Sequence, residues 1–308
     1  MRQTRESSYI SRSLRSEQHE FIFLLIPMTL AVFVFCYIPM TGIMIGFCNL
    51  KPGMSVFQMN WSGLKWFEKL VTDQNFWRAL RNTLNVSVLN LIFSFPLPII
   101  FALMVNEIRF SPYKRLAQSA SFFPHFISTV VVVQLLFNFF GYQSGMINTI
   151  LQNAGYDKIN FFLEAGYFIP FYIGTTIWQS TGWSSVIYLS AITAIDINTY
   201  EAAKIDGAGR FRQMLYITLP SLKPTISMLL ILNLGSILNV GYEKVLLLYN
   251  PAIYNTADVL STYMYRIGLM DWQLSYSTAM GLFNQSISLV VLIVSNTLSK
   301  RFTEESLW

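Results

Sequence analysis

The residues whose types and spacing are most informative form one motif, which lies in a polar segment at 196–224. The motif reads EAA-x3-G-x9-I-x-LP and comprises Glu201, Ala202, Ala203, Gly207, Ile217, Leu219 and Pro220. A carboxylate forms ion pairs, two methyl side chains leave a surface low enough to enter a groove, and a glycine allows the positive φ of a tight turn. This chemistry is the non-covalent recognition of a partner, and it requires no reactive side chain.

The elements around the motif are predicted to hold it in a fixed shape. Asn198 or Thr199 can cap a short helix, because their side-chain oxygens accept hydrogen bonds from the free amides of a first turn. Glu201 then lies in that first turn, where the helix dipole favours a carboxylate. Gly207 ends the helix by a turn of positive φ, and a second helix near 210–216 runs back towards the next apolar stretch. The segment therefore predicts a two-helix elbow with Glu201 pointing outward.

Catalytic chemistry has no support elsewhere in the chain. The two histidines, His19 and His125, are far apart in the sequence, so neither a Ser-His-Asp triad nor a metal site follows from them. The phosphate-binding pattern G-x4-G-K-[ST] is absent, and the glycines at 207 and 209 are followed by Arg210 rather than by that lysine. We predict a non-catalytic chain that itself binds no cofactor and no metal.

The composition predicts a membrane protein. Hydrophobic residues make up 53% of the chain and charged residues 12%, against roughly 25% charged residues in a soluble domain. A helix needs about 20 mostly apolar residues to cross a bilayer, and six stretches without a charged residue approach or exceed that length. These stretches are 21–50, 82–106, 116–156, 165–195, 224–242 and 272–299. The predicted fold is all-α and polytopic, with six transmembrane helices.

The distribution of charge predicts the orientation. Lys and Arg accumulate on the cytoplasmic side of membrane proteins. If both termini and the elbow share one side, that side carries 13 of the 21 Lys and Arg residues and the other side carries eight. Both termini and the elbow are therefore predicted to be cytoplasmic. These flanks also account for the net charge of +5 without a nucleic-acid partner.

Four segments follow from these stretches. They are a cytoplasmic N-terminal tail at 1–20, a first transmembrane helix with an external interfacial segment at 21–80, a core transmembrane domain at 81–299 that includes the elbow at 196–224, and a cytoplasmic C-terminal tail at 300–308. The six helices are predicted at 21–48, 82–105, 121–140, 168–195, 224–243 and 276–298. Pro96 and Pro98 are expected to kink the second helix, because proline removes a backbone donor.

Polar side chains within the predicted membrane helices are candidate site residues, because they are costly there unless they are satisfied. In the fifth helix, one stripe about 120° wide is formed by Asn233, Ser236, Asn239 and Glu243, with Tyr242 beside it. Further candidates are Trp178, Gln179 and Trp183 in the fourth helix, Asn284 and Gln285 in the sixth, and Gln134 and Asn138 in the third. Amides match sugar hydroxyls and aromatic rings cover sugar faces, which favours a sugar pathway. Hydrogen bonding between helices is the alternative role of the same side chains.

The spaced motif, on a loop between membrane spans, resembles the coupling loop of permease subunits in binding-protein-dependent ABC importers. The longer string at 201–225, EAAKIDGAGRFRQMLYITLPSLKPT, is similar to the carbohydrate branch of that family, which has the type I fold. The segments 249–258 and 262–269 are similar to the subgroup for polysaccharides and complex oligosaccharides. One departure is Asn250-Pro251-Ala252, which stands where many sugar permeases have Gly-Gly-Pro.

The resemblance implies a half-transporter in the bacterial cytoplasmic (inner) membrane that imports an oligosaccharide. Its implied partners are a second homologous permease subunit, two ATPase subunits that bind ATP and Mg²⁺, and an extracytoplasmic solute-binding protein. The residues implied to couple to the ATPase are Glu201, Ala202, Ala203, Asp206, Gly207, Gly209, Leu219 and Pro220. Glu201 would pair with a basic group of the ATPase, and the two alanines would pack in its groove.

A stand-alone secondary carrier or channel for a small polar solute is the alternative function. Such a protein calls for buried ion-coupling groups, and only the neighbouring Glu243 and Lys244, at a helix end, come close. Within the importer hypothesis, Lys244 and Arg266 on the predicted external side would favour an acidic saccharide. The sequence leaves the identity of the saccharide open.

Overall fold

The computed structural model describes residues 22, 23, 25–54 and 58–303. The predicted N-terminal tail at 1–20 lies outside the described residues, and so do residues 304–308 of the predicted C-terminal tail. The described part of the chain is mostly helical, as predicted.

The helices follow one another with short connections. In chain order they are α1 (Leu25–Phe47), α2 (Lys65–Thr72), α3 (Gln74–Ser94), α4 (Pro96–Glu107), α5 (Ser111–Phe122), α6 (Thr129–Phe140), α7 (Met146–Asn153), α8 (Ala165–Thr193), α9 (Ile197–Ile205), α10 (Arg210–Ser221), α11 (Lys223–Gly235), α12 (Tyr242–Leu248), α13 (Tyr254–Ala257), α14 (Leu260–Tyr265) and α15 (Leu274–Thr303). A two-residue antiparallel pair, β1 (Cys48–Asn49) with β2 (Asn60–Trp61), lies between α1 and α2.

Several of these helices are suited to crossing a membrane. Among the described residues, three stretches are long and apolar enough: α1, the α3–α4 pair and α15. The number rises to five if two bent pairs, α5–α6 and α10–α11, each form one span. The predicted fourth span, α8, has 29 residues, but its serines, threonines and Gln179 make it too polar to be counted by composition. The chain is therefore a multi-pass membrane protein, and helix length and composition alone give three to five spans within its described residues.

The third predicted span, at 121–140, is not one continuous helix, so that prediction is wrong. The chain divides at Ile127, and the two halves are bent by 96°. Ser128 caps α6 by accepting a hydrogen bond from the amide of Val131 at 3.4 Å. The 12 residues of α6 extend about 18 Å at 1.5 Å per residue. That length is too short for roughly 30 Å of hydrocarbon.

The fifth predicted span, at 224–243, is also wrong as one continuous helix. α11 ends at Gly235, and residues 236–241 form an irregular turn before α12 begins. At this end α11 lies close to α15, because a Cβ on Gly235 would be 2.6 Å from the Leu292 side chain. The second predicted span is interrupted at the expected prolines, since α3 ends at Ser94 and α4 begins at Pro96, and the two helices together form one stretch of 34 residues.

Three apolar clusters hold the helices together. One packs α4 against α8 through residues such as Leu103 and Tyr188. A second joins α2, α3, α14 and α15 around Phe76 and Tyr276. The third joins α3, α6, α8 and the segment that follows α11. These clusters surround the space between α3, α8 and α11. The first of them also includes Ile192 and Leu222, so it holds in place the two ends of the elbow formed by α9 and α10.

Candidate functional sites on a surface elbow and in a polar cavity

The elbow begins with α9, which is capped by Asp196. The Asp196 carboxylate accepts a hydrogen bond from the amide of Asn198 at 3.0 Å. The predicted cap at Asn198 or Thr199 is therefore wrong, because an aspartate two residues earlier supplies an equally good acceptor. As a result, Glu201 lies in the second turn rather than in the first, where the effect of the helix dipole is weaker.

The elbow turns at Gly207, whose φ is +78°. The amide of Gly207 donates to the Lys204 carbonyl at 3.1 Å, and the amide of Ala208 donates to the Ala203 carbonyl at 2.8 Å. These two hydrogen bonds form a Schellman motif, which satisfies the last carbonyls of a helix and requires a residue of positive φ. The positive φ predicted for Gly207 is confirmed.

Two contacts outside the turn fix the shape of the elbow. The hydroxyl of Tyr200 lies 2.9 Å from Oγ1 of Thr218, and this contact joins α9 to α10. A guanidinium nitrogen of Arg210 lies 3.8 Å from a carboxylate oxygen of Glu107 at the end of α4. The elbow is therefore a single structural unit that is attached to the helix bundle.

One face of α9 is exposed and carries the carboxylate of the motif. Ile197, Glu201 and Ile205 are four residues apart, so they form one stripe on the helix. Ile197 is 69% exposed and Ile205 is 87% exposed, and Glu201 is exposed between them. Exposed apolar side chains around a carboxylate are typical of a surface that binds a partner. We call these three residues the elbow stripe.

The other predicted coupling residues occupy both sides of the elbow. The exposed ones are Ala202, Asp206, Gly207, Gly209 and Pro220, and the partly buried ones are Ala203 and Leu219. Ala203 therefore faces the chain itself, whereas Ala202 is available to a partner.

A polar cavity of about 340 Å³ lies between α3, α4, α8, α11 and the turn that follows α11. We call it the central cavity. Its polar lining residues are Ser87, Asn90, Ser94, Tyr172, Thr176, Ser180, Ser184, Tyr188, Asn233, Ser236 and Asn239. Every polar side chain in this described lining is a hydroxyl or an amide. Such a lining suits a ligand that is rich in hydroxyl groups.

Three of the predicted pathway residues, Asn233, Ser236 and Asn239, line the central cavity. They do not form the predicted helical stripe, because Ser236 and Asn239 lie in the turn after α11. The turn brings Asn239 close to α15, where its Oδ1 accepts a hydrogen bond from Asn284 at 3.4 Å. Asn284 is only 7% exposed, so it lies behind the cavity wall rather than in it.

The other predicted pathway residues lie away from the central cavity. Those on exposed surfaces are Trp178, Trp183, Tyr242 and Gln285. Gln179 and Glu243 line a second hollow, of about 480 Å³, beside α6. On α6, the amide of Gln134 donates to Asn138 at 3.2 Å, so these two side chains satisfy each other.

The sequence reasoning missed the cavity residues on α8 and α3. On α8, Tyr172, Thr176, Ser180 and Ser184 are four residues apart, which places them on one helix face. The hydroxyls of Thr176 and Ser180 donate to carbonyls one turn earlier, each at 2.7 Å. Their oxygen lone pairs therefore remain able to accept hydrogen bonds from a ligand. The spacing of four residues between these polar side chains could have predicted this helix face from the sequence.

A buried ion cluster, also missed in the sequence, holds α14 against α3. Asp258 is fully buried, and its carboxylate accepts a hydrogen bond from Arg266 at 2.6 Å. Arg78 of α3 lies 3.9 Å from the same carboxylate, and Asn82 donates to the Asp258 carbonyl at 3.1 Å. Arg266 is therefore neutralised within the chain.

A second carboxylate, Asp73, joins three helices. It lies at the start of α3 and accepts hydrogen bonds from the hydroxyls of Tyr263 and Tyr276, each at 2.6 Å. Burial acts to raise the pKa of Asp73, but these hydrogen bonds outweigh burial and lower the pKa below its ordinary value. An ionised Asp73 thus links α3 to α14 and α15.

Comparison with known proteins identifies a family. Residues 76–304 match the family described as "Binding-protein-dependent transport system inner membrane component". The polygalacturonan/rhamnogalacturonan transport system permease protein YteP of Bacillus subtilis (strain 168) is 44% identical, over 84% of this chain and 80% of its own. Protein LplB of the same strain is 40% identical, over 83% of this chain and 81% of its own.

Solved structures agree with these relatives. A chain of a bacterial ABC transporter involved in the import of the acidic polysaccharide alginate is 38% identical, with a TM-score of 0.84, over 95% of this chain and 99% of that one. A chain of the alginate ABC transporter in complex with an alginate pentasaccharide-bound periplasmic protein is also 38% identical, with a TM-score of 0.85, over 95% and 98% of the two chains. Because these matches extend over most of the sequence, the chain belongs to the binding-protein-dependent transport system inner membrane components and is a permease subunit of an ABC importer.

Proposed function

We propose that this permease subunit forms half of the translocation pathway of an ATP-driven importer for an oligosaccharide. A second homologous permease subunit forms the other half, and an extracytoplasmic solute-binding protein delivers the sugar. Two ATPase subunits bind ATP and Mg²⁺ and carry out the hydrolysis, so this chain is not itself an enzyme. The observation that carries the proposal is the rigid elbow with its exposed elbow stripe.

Coupling to the ATPase follows from the place of the elbow in the chain. α9 follows α8, and α10 leads into α11, so a displacement of the elbow moves two helices that line the central cavity. Glu201 pairs with a basic group of the ATPase, while Ile197, Ile205 and Ala202 enter a groove on it. Full burial of an isoleucine side chain contributes about 1.5–3 kcal/mol, so the stripe supplies much of the contact.

Six spans with cytoplasmic termini belong to the same proposal. They are α1, the α3–α4 pair, the bent α5–α6 pair, α8, the bent α10–α11 pair and α15. Thr176, Ser180 and Ser184 of α8 line the central cavity, so these polar side chains do not face lipid, which allows α8 to cross the membrane despite its composition. The excess of Lys and Arg, 13 against eight, supports a cytoplasmic elbow. The division into segments 1–20, 21–80, 81–299 and 300–308 stays a prediction.

An oligosaccharide is supported as substrate by the lining of the central cavity and by the names of relatives. Hydroxyl and amide side chains form hydrogen bonds with sugar hydroxyls, and Tyr172 and Tyr188 add aromatic surface. YteP is named for polygalacturonan/rhamnogalacturonan. AraP of Bacillus subtilis (strain 168), 29% identical over 76% of this chain and 75% of its own, is named for arabinooligosaccharides.

Reconstitution into liposomes tests the proposed function. The complete importer should take up an oligosaccharide only when both ATP and the solute-binding protein are supplied. A binding screen on the solute-binding protein identifies which saccharide to use. Uptake by this chain alone, without ATP, would overturn the proposal and support the alternative of a stand-alone secondary carrier or channel.

A further inference from the structure

Lys244 of α12 contacts the wall of the central cavity. Its Nζ donates a hydrogen bond to Oγ1 of Thr176 at 3.1 Å, and it lies 5.6 Å from the ring centre of Tyr172. Both Thr176 and Tyr172 line the central cavity. The Lys244 side chain is partly buried, so its ammonium group is held at this wall.

The ammonium group of Lys244 has no carboxylate partner in the described chain. The three ion pairs among the described residues involve Arg78, Arg210 and Arg266. Glu243 is adjacent in sequence and exposed, and it takes part in none of these pairs. A partly buried cation loses hydration that a hydroxyl and an aromatic ring replace only in part. An anionic group from outside the chain would complete its coordination.

Lys244 also lines the second hollow, which is the space next to the central cavity. Thr176 and Ser180 line both spaces, so one turn of α8 forms a wall that the hollow and the central cavity share. The hollow is also lined by Glu243, Gln179 and His125. Lys244 is the basic residue at the border between the two spaces. A solute that occupies the second hollow lies beside this ammonium group.

We propose that Lys244 binds the carboxylate of an acidic sugar unit, so that this pathway selects oligosaccharides that contain uronic acids. The proposal rests on the proposed function and names the substrate class for the same cavity. Arg266, the other basic residue considered in the sequence, does not serve this role, because Asp258 already neutralises it at 2.6 Å. The Thr176 hydroxyl and the Tyr172 ring position the ammonium group without neutralising it, which leaves its charge for the ligand.

The test uses the complete importer in liposomes and a trisaccharide of galacturonic acid as the probe. The fully methyl-esterified trisaccharide, which has the same three sugar units, a methyl group on each carboxyl and no charge, serves as the neutral comparison. Lys244→Met keeps the length of the side chain and removes the charge, and it should lower uptake of the acidic trisaccharide roughly ten-fold or more. Lys244→Arg retains the charge and should keep most of that uptake. Lys51→Met, at an exposed lysine, removes the same charge elsewhere and should leave uptake unchanged.

Co-purification of the ATPase subunits with each variant shows that the complex still assembles. Equal uptake of the acidic trisaccharide by wild type and Lys244→Met would overturn the inference. Equal losses in Lys244→Met and Lys244→Arg would also overturn it, because shape rather than charge would then matter. A wild-type importer that takes up the neutral ester and excludes the acid would overturn the inference alone. A complete wild-type importer that takes up no saccharide would overturn the proposed function as well.

Discussion

The hydroxyl of Tyr200 lies 2.9 Å from Oγ1 of Thr218, and this hydrogen bond joins the two arms of the elbow. Thr218 is only 2% exposed, and it lies on the arm that continues into α11. A displacement of α9 is therefore transmitted to α11 through a side-chain contact as well as through the turn at Gly207. Under the proposed function, this contact makes the two arms of the elbow move together.

Tyr200→Phe is expected to loosen the elbow without unfolding the helix bundle. The change removes the hydrogen bond and leaves the buried hydroxyl of Thr218 without this partner, at a cost of about 1–3 kcal/mol. Hydrogen–deuterium exchange of the α9 amides should become about five-fold faster or more. Tyr216→Phe is the control, because Tyr216 lies on the same elbow and is 75% exposed. Identical exchange in the two variants would show that the contact does not hold the arms together.

Gly207→Ala is expected to weaken binding of the ATPase subunits by roughly five- to thirty-fold. A left-handed conformation costs a residue with a Cβ roughly 1–2 kcal/mol. The new Cβ would meet no atom within 4 Å, so the cost is conformational. Gly174→Ala is the control, because Gly174 lies in α8, outside the elbow, and a Cβ there would also meet no atom within 4 Å. Titration of the purified subunit with the ATPase measures both affinities, and equal losses would refute the role of the turn.

Gly182→Ala is expected to destabilise the packing of α8 on α5. A Cβ on Gly182 would overlap the carbonyl of Ser121, and overpacking of this kind costs about 1–3 kcal/mol or more. Gly174→Ala on the same helix adds a Cβ with no atom within 4 Å. It should be neutral or slightly stabilising, because alanine favours helix over glycine. The Tm of the assembled complex measures the difference, and equal Tm values for both variants would contradict this packing.

Asp258→Ala is expected to cost about 3–5 kcal/mol, because removal of one partner leaves a partly buried Arg266 without its counter-ion. Glu107→Ala removes the partner of Arg210 in an ion pair whose side chains are 38% and 52% exposed. That surface change should cost about 0–1 kcal/mol. Thermal unfolding of the assembled complex compares the two. A smaller loss for Asp258→Ala than for Glu107→Ala would show that the buried cluster is not structural.

The elbow could be predicted from the sequence because the groups that determine it are local. Gly207 lies between two helix-forming stretches, and glycine is the residue that most readily adopts the positive φ of a helix-ending turn. The exact start of α9 was not predictable in the same way. Asp196 and Asn198 are both good caps and only two residues apart, so local chemistry does not choose between them.

The breaks in the third and fifth predicted spans were not predictable, because the groups that satisfy them are distant in sequence. Gln179 of α8 donates to the carbonyl of Ile127 at 3.1 Å, and Ser261 donates to the carbonyl of Val240 at 3.2 Å. Such partners replace the hydrogen bonds that a broken helix loses within a membrane. The hydropathy of the segments at 121–140 and 224–243 therefore predicts one continuous span for each. The break after Gly235 places Asn239 at the central cavity. The predicted stripe assumed one continuous helix from Asn233 to Glu243, so it did not anticipate this arrangement.

The face of α8 that lines the central cavity could have been predicted from the sequence. Thr176, Ser180 and Ser184 repeat every four residues, and that spacing places small polar side chains on one face of a helix. The buried cluster around Asp258 could not be predicted from the sequence. Arg78 is distant in sequence from Asp258, and no local pattern pairs the two residues.

Contact between the elbow and the ATPase is tested most directly by a crosslink from Ile205→Cys. Cys36 and Cys48 are replaced first, and the assembled importer is then crosslinked in liposomes while it transports. Ile205 is 87% exposed and lies one turn from Glu201. A crosslink to an ATPase subunit is expected, and it should be lost when Glu201→Lys is added. A crosslink to the solute-binding protein instead, or none to the ATPase in a transporting complex, would contradict the role of the elbow.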